Sequence, residues 1–549
     1  MANKPSTDTH SVVNQVPPLP ERDVFGQDIA LAAAVDRHGA EDHLKRLHQL
    51  GEQAGKTYWR DIGREANRDH PRLHTHDRYG HRIDEVHYHP AWHELMDEAV
   101  GWGLHADPWQ REEQGAHVAR AAGFITWTQV EPGHMCPISM TYAAVPALGA
   151  NSSLAEEWIP GLCSTEYDFG LRNPRDKAGL IAGMAMTEKQ GGSDVRQNTT
   201  VAVPNDDGSY LITGHKWFCS APMSDVFLML AQAPEGLTCF LVPRVLPDGS
   251  RNAFNIQRLK DKLGNRSNAS SEVEFINTYG LRLGEEGRGV KTIVEMVSAT
   301  RLDCVLGATG LMRGAVSQAF WHAQHRGAFG STLIDKPLMQ NVLADLALEV
   351  EAAIALALRL AAAVEDAAAG DESAALLRRI ALPAAKFWTT KRSIAVTAEA
   401  LECLGGNGYV EESGMPLLYR EAPVNSVWEG SGNVNALDLL RAMSKEAGTV
   451  DALLSELGTA SGANSYYDAS LKELLNELSD LSGLEYRARR LSSRIAVLLQ
   501  AAQLIKYAPP GIADAFAVSR LGRDEGGQFG TLPPGLELDA ILERATPVA

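Results

Sequence analysis

Residues 208–220 read GSYLITGHKWFCS. Their short runs of β-branched and aromatic residues, punctuated by glycine, are typical of a β-strand. The segments VFLMLAQ (226–232), TCFLVPR (238–244) and SEVEFIN (271–277) have the same texture. Together they predict a compact β domain over residues 183–288, either a barrel or a sandwich.

Helical patterns flank the β domain on both sides. Residues 1–182 predict an N-terminal helical domain with a mobile first part of about 20 residues and loops in the His-rich stretch 68–82. Residues 289–444 predict long helices of an antiparallel bundle. Residues 445–549 predict an additional C-terminal helical domain, helical up to Pro509 and Pro510, with a flexible tail after Gly522. The chain is therefore predicted to be an α+β multidomain protein.

Composition excludes several classes of protein. The chain has 549 residues and a net charge of -18, which argues against a generally basic surface that coats nucleic acid. The N-terminus lacks the apolar core of a signal peptide, and the most apolar helical run contains Arg359, Glu365 and Asp366, so we expect no membrane segment. The six cysteines show no CxxC spacing, which indicates reduced thiols in a cytoplasmic protein.

Two glycine clusters stand out. MTEKQGGSDV (186–195) offers small side chains, free backbone N–H groups and hydroxyl donors, which suit a ring edge or a pyrophosphate. A plain turn before a strand explains it equally well. GGNGYVEE (405–412) follows a helical pattern rather than a strand, which disfavours a Rossmann phosphate loop and favours a helix C-cap. Such a capped turn can also approach a ligand.

The stretch SVWEGSGN (426–433) places Glu429 beside Trp428 between two helical segments. A solvated loop seldom contains tryptophan and a core seldom contains glutamate, so the pair indicates a carboxylate in an apolar pocket, or a coincidence at a helix start. The histidines of the N-terminal region do not predict a metal site. His89 and His93 have helical spacing, but Pro90 starts the helix between them.

Taken together, these segments resemble the acyl-CoA dehydrogenase family of flavoproteins. MTEKQGGSDV resembles its flavin loop, GHKWFCS its flavin strand, and SVWEGSGN its catalytic segment. The resemblance is closest to the AidB-type alkylation-response flavoproteins, which carry an extra C-terminal helical domain. It implies an N-terminal helical domain, a central β-barrel or sandwich, a C-terminal four-helix bundle that carries FAD and catalysis, and the extra helical domain.

The resemblance also implies which residues bind FAD. Ser220 would bond near flavin N5, and Arg326, Phe329 and the 405–407 turn would reach the FAD of a neighbouring subunit. The protein would then be an obligate homo-oligomer, which we expect to be a tetramer. The implied cofactor residues are Met186, Thr187, Gly192, Ser193, Phe218, Cys219, Ser220, Arg326, Phe329, Gly405, Gly406, Asn407, Trp428, Ser431 and Asn433.

The resemblance assigns catalysis to Glu429, which would remove the α proton of a small-molecule substrate, an acyl-CoA or a related thioester, while the β hydride passes to the flavin. Arg301 and Trp428 would border this substrate. Some family members place the base where this chain has Thr300, so Glu429 has no rival.

The chain departs from the family pattern at two positions. The usual tryptophan of the flavin strand is Phe218, with Trp217 one position before it. The glutamine that often follows the segment after the first bundle helix is Pro337, and Gln340 lies three residues later. The first departure affects flavin stacking and the second affects the contact between subunits.

Two other functions stay open on the sequence alone: a protective flavoprotein that binds duplex DNA and keeps only vestigial dehydrogenation, and a flavin oxidase or monooxygenase. Residues 445–549 contain ten basic and fourteen acidic residues. Because phosphate neutralisation supplies most non-specific affinity, we expect at most weak, salt-labile DNA binding. Its face would consist of Arg441, Arg487, Arg490 and Arg494.

Overall fold

The computed structural model describes residues 9–111, 113–480, 482–522 and 527–548. The N-terminal domain is mainly helical, with a two-stranded hairpin after its third helix. Its elements are α1 (Ile29–Arg37), α2 (Leu44–Ala54), α3 (Thr57–Arg68), β1 (Arg72–His76), β2 (Arg82–His87), α4 (Pro90–Gly101), α5 (Asp107–Gln110), α6 (Ala116–Thr128), α7 (Met135–Leu148) and α8 (Ser152–Leu162).

The hairpin replaces the loop that the His-rich stretch predicts. β1 and β2 pair antiparallel, and Val86 of β2 is buried in the core of the β domain. Tertiary packing therefore stabilises strands that the polar sequence does not favour locally. The helix α4 begins at Pro90 as predicted, and Nδ1 of His89 accepts a hydrogen bond from the Ala91 N–H (3.2 Å). Within the described ranges, no three His, Cys, Asp or Glu side chains converge as metal ligands would.

The β domain is a barrel. Its strands are β3 (Ala182–Ala185), β4 (Val201–Pro204), β5 (Ser209–Ser220), β6 (Val226–Ala233), β7 (Gly236–Pro243), β8 (Phe254–Leu259) and β9 (Ser270–Leu283). The strand order is β3-β6-β4-β5-β9-β7, and β6 also pairs with β7, so the pairing closes into a ring. Phenylalanine rings, including Phe227, Phe240 and Phe254, fill the centre.

A long helix forms the common wall of the bundle and the N-terminal domain. This helix, α9, packs against three bundle helices, against α6 and α7, and against β7. The bundle consists of α9 (Gly289–His325), a small hairpin of β10 (Gly327–Ala328) and β11 (Ser331–Thr332), α10 (Pro337–Ala368), α11 (Glu372–Cys403), α12 (Met415–Asn425) and α13 (Gly432–Lys445). A buried ion pair between Arg120 of α6 and Asp303 of α9 joins the two layers. This pair fixes the middle of α9 against the N-terminal domain.

The additional C-terminal helices cover the outside of the bundle. They are α14 (Thr449–Gly458), α15 (Ser465–Ser479), α16 (Leu484–Tyr507), α17 (Pro510–Leu521) and α18 (Leu538–Ala545), and α14 and α16 pack against α11. The predicted helical limit at Pro509 and Pro510 is wrong. Pro510 instead opens α17, because proline is tolerated at the first position of a helix.

The chain ends are more firmly held than predicted. The flexible tail is wrong for residues 527–548, where Leu542 is buried and Nε of Arg544 bonds to the Glu351 carboxylate (2.9 Å). At the other end, Nε1 of Trp321 donates to the Pro17 carbonyl (2.8 Å). Residues 1–8, 523–526 and 549 lie outside the described part. No helix in the described ranges has an apolar stretch long enough to cross a membrane.

Candidate active site

Glu429 lies in a strained turn between α12 and α13. Its φ is 55°, in the left-handed region, and Gly430 follows with φ 97°. A non-glycine residue in this region costs on the order of 1–3 kcal/mol and persists only where its surroundings hold it. We call residues 426–431 the Glu429 loop.

Two buried cations hold the Glu429 loop by its backbone carbonyls. Nζ of Lys386, on α11, donates to the carbonyls of Trp428 (2.8 Å) and Gly430 (2.6 Å). Nε of Arg301, on α9, donates to the carbonyl of Glu429 itself (2.9 Å). Burial lowers the pKa of Lys386 to about 8. Three successive carbonyls are thus fixed by charge-assisted hydrogen bonds, which offset the strain of the turn.

The Glu429 carboxyl group is only partly satisfied. Its Oε2 is buried and has no hydrogen-bond partner among the described residues. The Thr300 hydroxyl donates to the carbonyls of Met296 (3.2 Å) and Val297 (3.1 Å) and lies near the carboxylate, whose pKa it lowers. Burial raises the pKa of Glu429, and Thr300, Arg301 and Lys386 oppose that rise. A buried carboxylate with a free oxygen and a raised pKa suits a general base.

The loop of residues 186–195, called here the GGSD loop, folds around a buried ion pair. Oε1 of Glu188 accepts a hydrogen bond from Nζ of Lys216 on β5 (2.8 Å), and both side chains are fully buried. The Trp217 N–H donates to the Thr187 carbonyl (2.8 Å). A Cβ on Gly192 would lie 2.4 Å from Oγ1 of Thr187, so only glycine fits there. These contacts fix Met186 and Thr187 against β5 and leave Ser193 exposed.

The end of β5 has an irregular register that explains the displaced tryptophan. The pairing with β9 shifts between Lys216 and Cys219, so Trp217 and Phe218 form a bulge. Nζ of Lys260 lies 3.3 Å from the ring centre of Trp217 and 4.6 Å from that of Phe218. Phe218 is 50% exposed, whereas Cys219 is fully buried in the barrel core. The Cys219 side chain therefore does not border the site, and only its backbone can.

The GGSD loop and the Glu429 loop meet at one apolar cluster. Met186 and Trp428 both pack against the cluster that contains Cys136 of α7. The Ser220 hydroxyl lies within hydrogen-bonding reach of the Cys136 thiol. Burial raises the pKa of this thiol to about 12, and the negative charge of Glu429 contributes to the rise. The structure therefore brings together the strand, the loop and the carboxylate that the sequence singles out.

The other predicted cofactor residues lie on the surface of the chain. Phe329, at the tip of the β10–β11 hairpin, is 98% exposed and has φ 51°. Nη1 of Arg326 donates to the carbonyl of Asn14 (2.6 Å). Residues 405–407 are exposed, with Gly405 at φ 59° directly after α11. Ser431 and Asn433 are exposed at the start of α13.

A cleft of about 760 Å³ opens between the start of α9, the middle of α11 and α13. Asp438 in this cleft bonds to Nη1 of Arg301 (2.6 Å) and to Nη2 of Arg379 (3.1 Å). The cleft is strongly basic, with eight cationic and three acidic residues, so we call it the basic cleft. These residues are Arg196, Arg288, Lys291, Arg301, Arg378, Arg379, Arg441 and Lys445, with Glu295, Asp438 and Glu446.

The arginines of the predicted DNA-binding face lie beside carboxylates, and Arg441 itself is 3.7 Å from Asp438. Arg441 lines the basic cleft, but the three arginines of α16 pair with carboxylates of α15 and of the turn after it. Arg487 and Arg490 lie beside Glu477, and Arg494 lies between Glu473 and Glu477. Their charge is therefore locally neutralised.

Sequence reasoning missed Lys386, Asp438 and the basic cleft. One signal for Lys386 was present, a single lysine in the apolar run IALPAAKFW of α11. A lysine in such an apolar run must either bond to buried oxygen atoms or lose its proton and become neutral. The cleft gave no such signal, because its cations come from four distant parts of the chain.

Three domain families match successive parts of this chain. They are the adaptive response protein AidB N-terminal domain over residues 14–169, the acyl-CoA dehydrogenase middle domain over residues 183–278, and the acyl-CoA dehydrogenase C-terminal domain over residues 287–444. The chain therefore belongs to the acyl-CoA dehydrogenase family, in the branch with the AidB-type N-terminal domain.

Individual proteins agree with this assignment. The chain is 46% identical over 510 residues to the putative acyl-CoA dehydrogenase AidB of Escherichia coli K12, which covers 92% of this chain and 94% of that protein. The crystal structure of Caenorhabditis elegans ACDH-11 in complex with C11-CoA superposes with a TM-score of 0.84 at 25% identity, over 99% of this chain and 95% of that one. An acyl-CoA dehydrogenase of Bacillus anthracis complexed with FAD shares the fold, with a TM-score of 0.62 at 19% identity over 83% of this chain and 81% of that one.

As a member of this family, the chain is an FAD-dependent oxidoreductase of the acyl-CoA dehydrogenase type. The residues present fit that cofactor. The half-exposed Phe218 ring stands near the end of β5, and no described residue bonds to the buried Oε2 of Glu429. A Cβ added at Gly405 or Gly406 would meet nothing within 4 Å, which leaves room for a ligand or a neighbouring subunit.

Proposed function

We propose that Glu429 is the general base of an acyl thioester dehydrogenation. The observation that carries this proposal is the strained, cation-held turn, which presents a buried carboxylate oxygen to which no residue in the described part of the chain bonds. The raised pKa of Glu429 makes the carboxylate a stronger base than an exposed glutamate. Thr300 occupies the alternative base position of the family and cannot act as a base, so Glu429 has no rival for this role.

In this proposal the chain's residues divide the work. Lys386 and Arg301 fix the turn, so that the Glu429 carboxyl group keeps its orientation while it is protonated and deprotonated. Thr300 stabilises the ionised carboxylate before it accepts the α proton. Trp428 and the neighbouring apolar side chains exclude water. When bound, FAD supplies the acceptor for the hydride from the β carbon.

The basic cleft supports a substrate that carries phosphate groups, such as an acyl-CoA. Asp438 neutralises part of the charge of Arg301 and Arg379, but the excess of cations remains large. Arginine and lysine in such numbers favour a polyanion. Arg301 lines the cleft and also bonds to the Glu429 carbonyl, so a phosphate-bearing carrier held in the cleft would end near the base.

The experiment is anaerobic mixing of the FAD-loaded protein with a panel of acyl-CoA substrates while flavin absorbance is followed. We expect bleaching by at least one acyl-CoA, and a loss of about two orders of magnitude or more in its rate for Glu429→Gln. The matched control is Glu412→Gln, an exposed glutamate. Equal bleaching by Glu429→Gln and wild type would remove Glu429 from the reaction.

We also propose that the protein is a homotetramer whose subunits share the cofactor site. An almost fully exposed phenylalanine at a hairpin tip, Phe329, is typical of a side chain that a partner covers. Arg326→Ala is then expected to weaken both assembly and FAD retention, which light scattering and flavin absorbance measure together. A monomer with full flavin occupancy would contradict the shared site.

A second candidate function is duplex DNA binding in an alkylation response. The basic cleft favours a polyanion, and the match to the adaptive response protein AidB N-terminal domain supports that context. Because the arginines of α16 are paired, we expect weak binding that disappears at physiological salt. The test is duplex affinity over a salt series for Arg441→Ala and Arg490→Ala. Tight binding that persists in salt would favour this candidate, and loss with Arg441→Ala alone would place the duplex in the cleft.

A further inference from the structure

A chain of three polar groups leads from the interior to the end of β5. Ser220 and Ser270 are opposite each other in the pairing of β5 with β9, and their hydroxyl oxygens are 3.0 Å apart. Nζ of Lys262 lies 3.1 Å from Oγ of Ser270. It also donates to the Asn268 carbonyl (2.7 Å) and lies 3.4 Å from Oδ1 of Asn265. All three partners of the ammonium group are neutral oxygens.

The carboxylates nearest this lysine are occupied by other donors. Oε1 of Glu421 accepts from Nδ2 of Asn265 (2.8 Å). Glu131 accepts from His134 and Ser267. Burial lowers the pKa of Lys262 to about 8, while Cys136, Glu421 and Glu131 oppose that shift. The lysine is therefore cationic at neutral pH, and its hydrogen bonds go to the Asn268 carbonyl, to Oγ of Ser270 and to Oδ1 of Asn265 rather than to a counter-ion.

The chemistry of the three side chains decides which one donates and which one accepts in each hydrogen bond. An ammonium group has donors only, so Ser270 must accept from Lys262. The Ser270 hydrogen is then available for the Ser220 oxygen. Ser220 has one more neighbour, the Cys136 thiol, whose pKa of about 12 keeps it protonated and a weak acceptor. The hydroxyl hydrogen of Ser220 is left to point away from Ser270.

We infer that Lys262 is a positioning residue that acts through Ser270 to make Ser220 a hydrogen-bond donor toward the bound cofactor. The inference rests on FAD as the cofactor and on the proposed place of Ser220 beside it, and it does not depend on the substrate. A donor backed by a cation favours the reduced, more electron-rich cofactor over the oxidised one. Lys262 therefore raises the reduction potential of the bound FAD.

The test is the midpoint potential of bound FAD, measured with reference dyes on the FAD-loaded full-length chain. Lys262→Met, Ser270→Ala and Ser220→Ala are each expected to lower the ratio of reduced to oxidised cofactor about tenfold, which is about 30 mV for a two-electron couple. Adding Lys262→Met to Ser220→Ala is expected to change nothing further. Arg266→Met, a cation of the same loop that donates to the Leu263 carbonyl, is the control and is expected to keep the wild-type potential.

The outcomes separate the relay from the placement of Ser220. A shift with Ser220→Ala but none with Lys262→Met or Ser270→Ala overturns the relay and leaves Ser220 beside the cofactor. No shift with any of the three overturns the placement as well. If Lys262→Met fails to retain FAD, the potential of Ser270→Ala tests the relay instead, because this variant removes one hydroxyl and leaves the lysine in place. An additive double variant would show that Lys262 acts independently of Ser220.

Discussion

Two glutamates lie near buried lysines, Glu188 fully buried and Glu429 half-buried with one buried oxygen, and they differ in which groups the lysine bonds. In the GGSD loop, Lys216 bonds directly to Glu188, whose two oxygens also accept from Thr199, Thr200 and Gln190. In the Glu429 loop, Lys386 bonds to backbone carbonyls and leaves the carboxylate incompletely satisfied. The first arrangement fixes a loop and the second keeps a reactive group available.

The pKa shifts of the two groups follow from this difference. Burial alone would raise the pKa of Glu188, but Lys216 and the hydrogen bonds hold that pKa well below its usual range. Burial also raises the pKa of Glu429, and its fewer partners do not reverse the rise. A saturated buried carboxylate is therefore a structural group, whereas an unsaturated one is a candidate for proton transfer.

The largest expected effect is that of Glu188→Gln, which removes the negative charge from the saturated pair. Lys216 would remain buried without a counter-ion, which costs about 3–5 kcal/mol. We expect a lower free energy of unfolding and loss of FAD retention, measured by denaturant unfolding and flavin absorbance. Because the folded-state pKa of Glu188 is depressed, the stabilisation is present at neutral pH and is lost as the pH falls below about 4.5. Unchanged stability at neutral pH would show that Glu188 is not the structural group that this comparison makes it.

Lys386→Met is expected to have the next largest effect. The Trp428 carbonyl would lose its donor, at a cost of about 1–3 kcal/mol for an unsatisfied buried group, whereas the Gly430 carbonyl would keep its bond from Nδ2 of Asn435 (2.6 Å). Because Lys386 lowers the pKa of Glu429, the pH profile of flavin reduction should also move to higher pH. Lys391→Met, on the same helix but outside the loop, is the control. A variant with normal stability and an unshifted profile would show that the lysine does not hold the turn.

Thr300→Val is expected to have the smallest effect, and it tests whether a single neighbouring hydroxyl lowers the pKa of Glu429. Valine has nearly the same shape but donates no hydrogen bond, so the pKa of Glu429 should rise. At a pH below that pKa, a smaller fraction of the base is ionised, and flavin reduction should slow several-fold; at high pH the rate should approach that of wild type. Rates of flavin reduction over a pH series measure this. A uniform loss at every pH would point to a packing defect instead.

Much of this arrangement is visible in the sequence, and its limits have physical causes. The β-branched texture of 208–220 predicts the barrel domain, and the Trp-Glu-Gly order predicts the carboxylate in its apolar setting. The hairpin at β1 and β2 was not predictable, because its strands are polar and owe their stability to contact with the barrel. The amphipathic helix α18 was not predicted, because the C-terminal tail around it is rich in glycine and proline. Arg441 and the α16 arginines look alike in sequence, and only the fold shows which carboxylate lies beside each, Asp438 for Arg441 and Glu477 for Arg494.

The measurement that tests the central claim most directly is exchange of the substrate α proton. The FAD-loaded protein is first reduced, so that the β hydride has no acceptor, and is then incubated without oxygen in D₂O with an acyl-CoA. Loss of the α-proton signal is followed by NMR. If Glu429 is the base, wild type and Glu412→Gln exchange this proton at similar rates, and Glu429→Gln exchanges it about two orders of magnitude more slowly or worse. Exchange by Glu429→Gln at the wild-type rate would contradict the account.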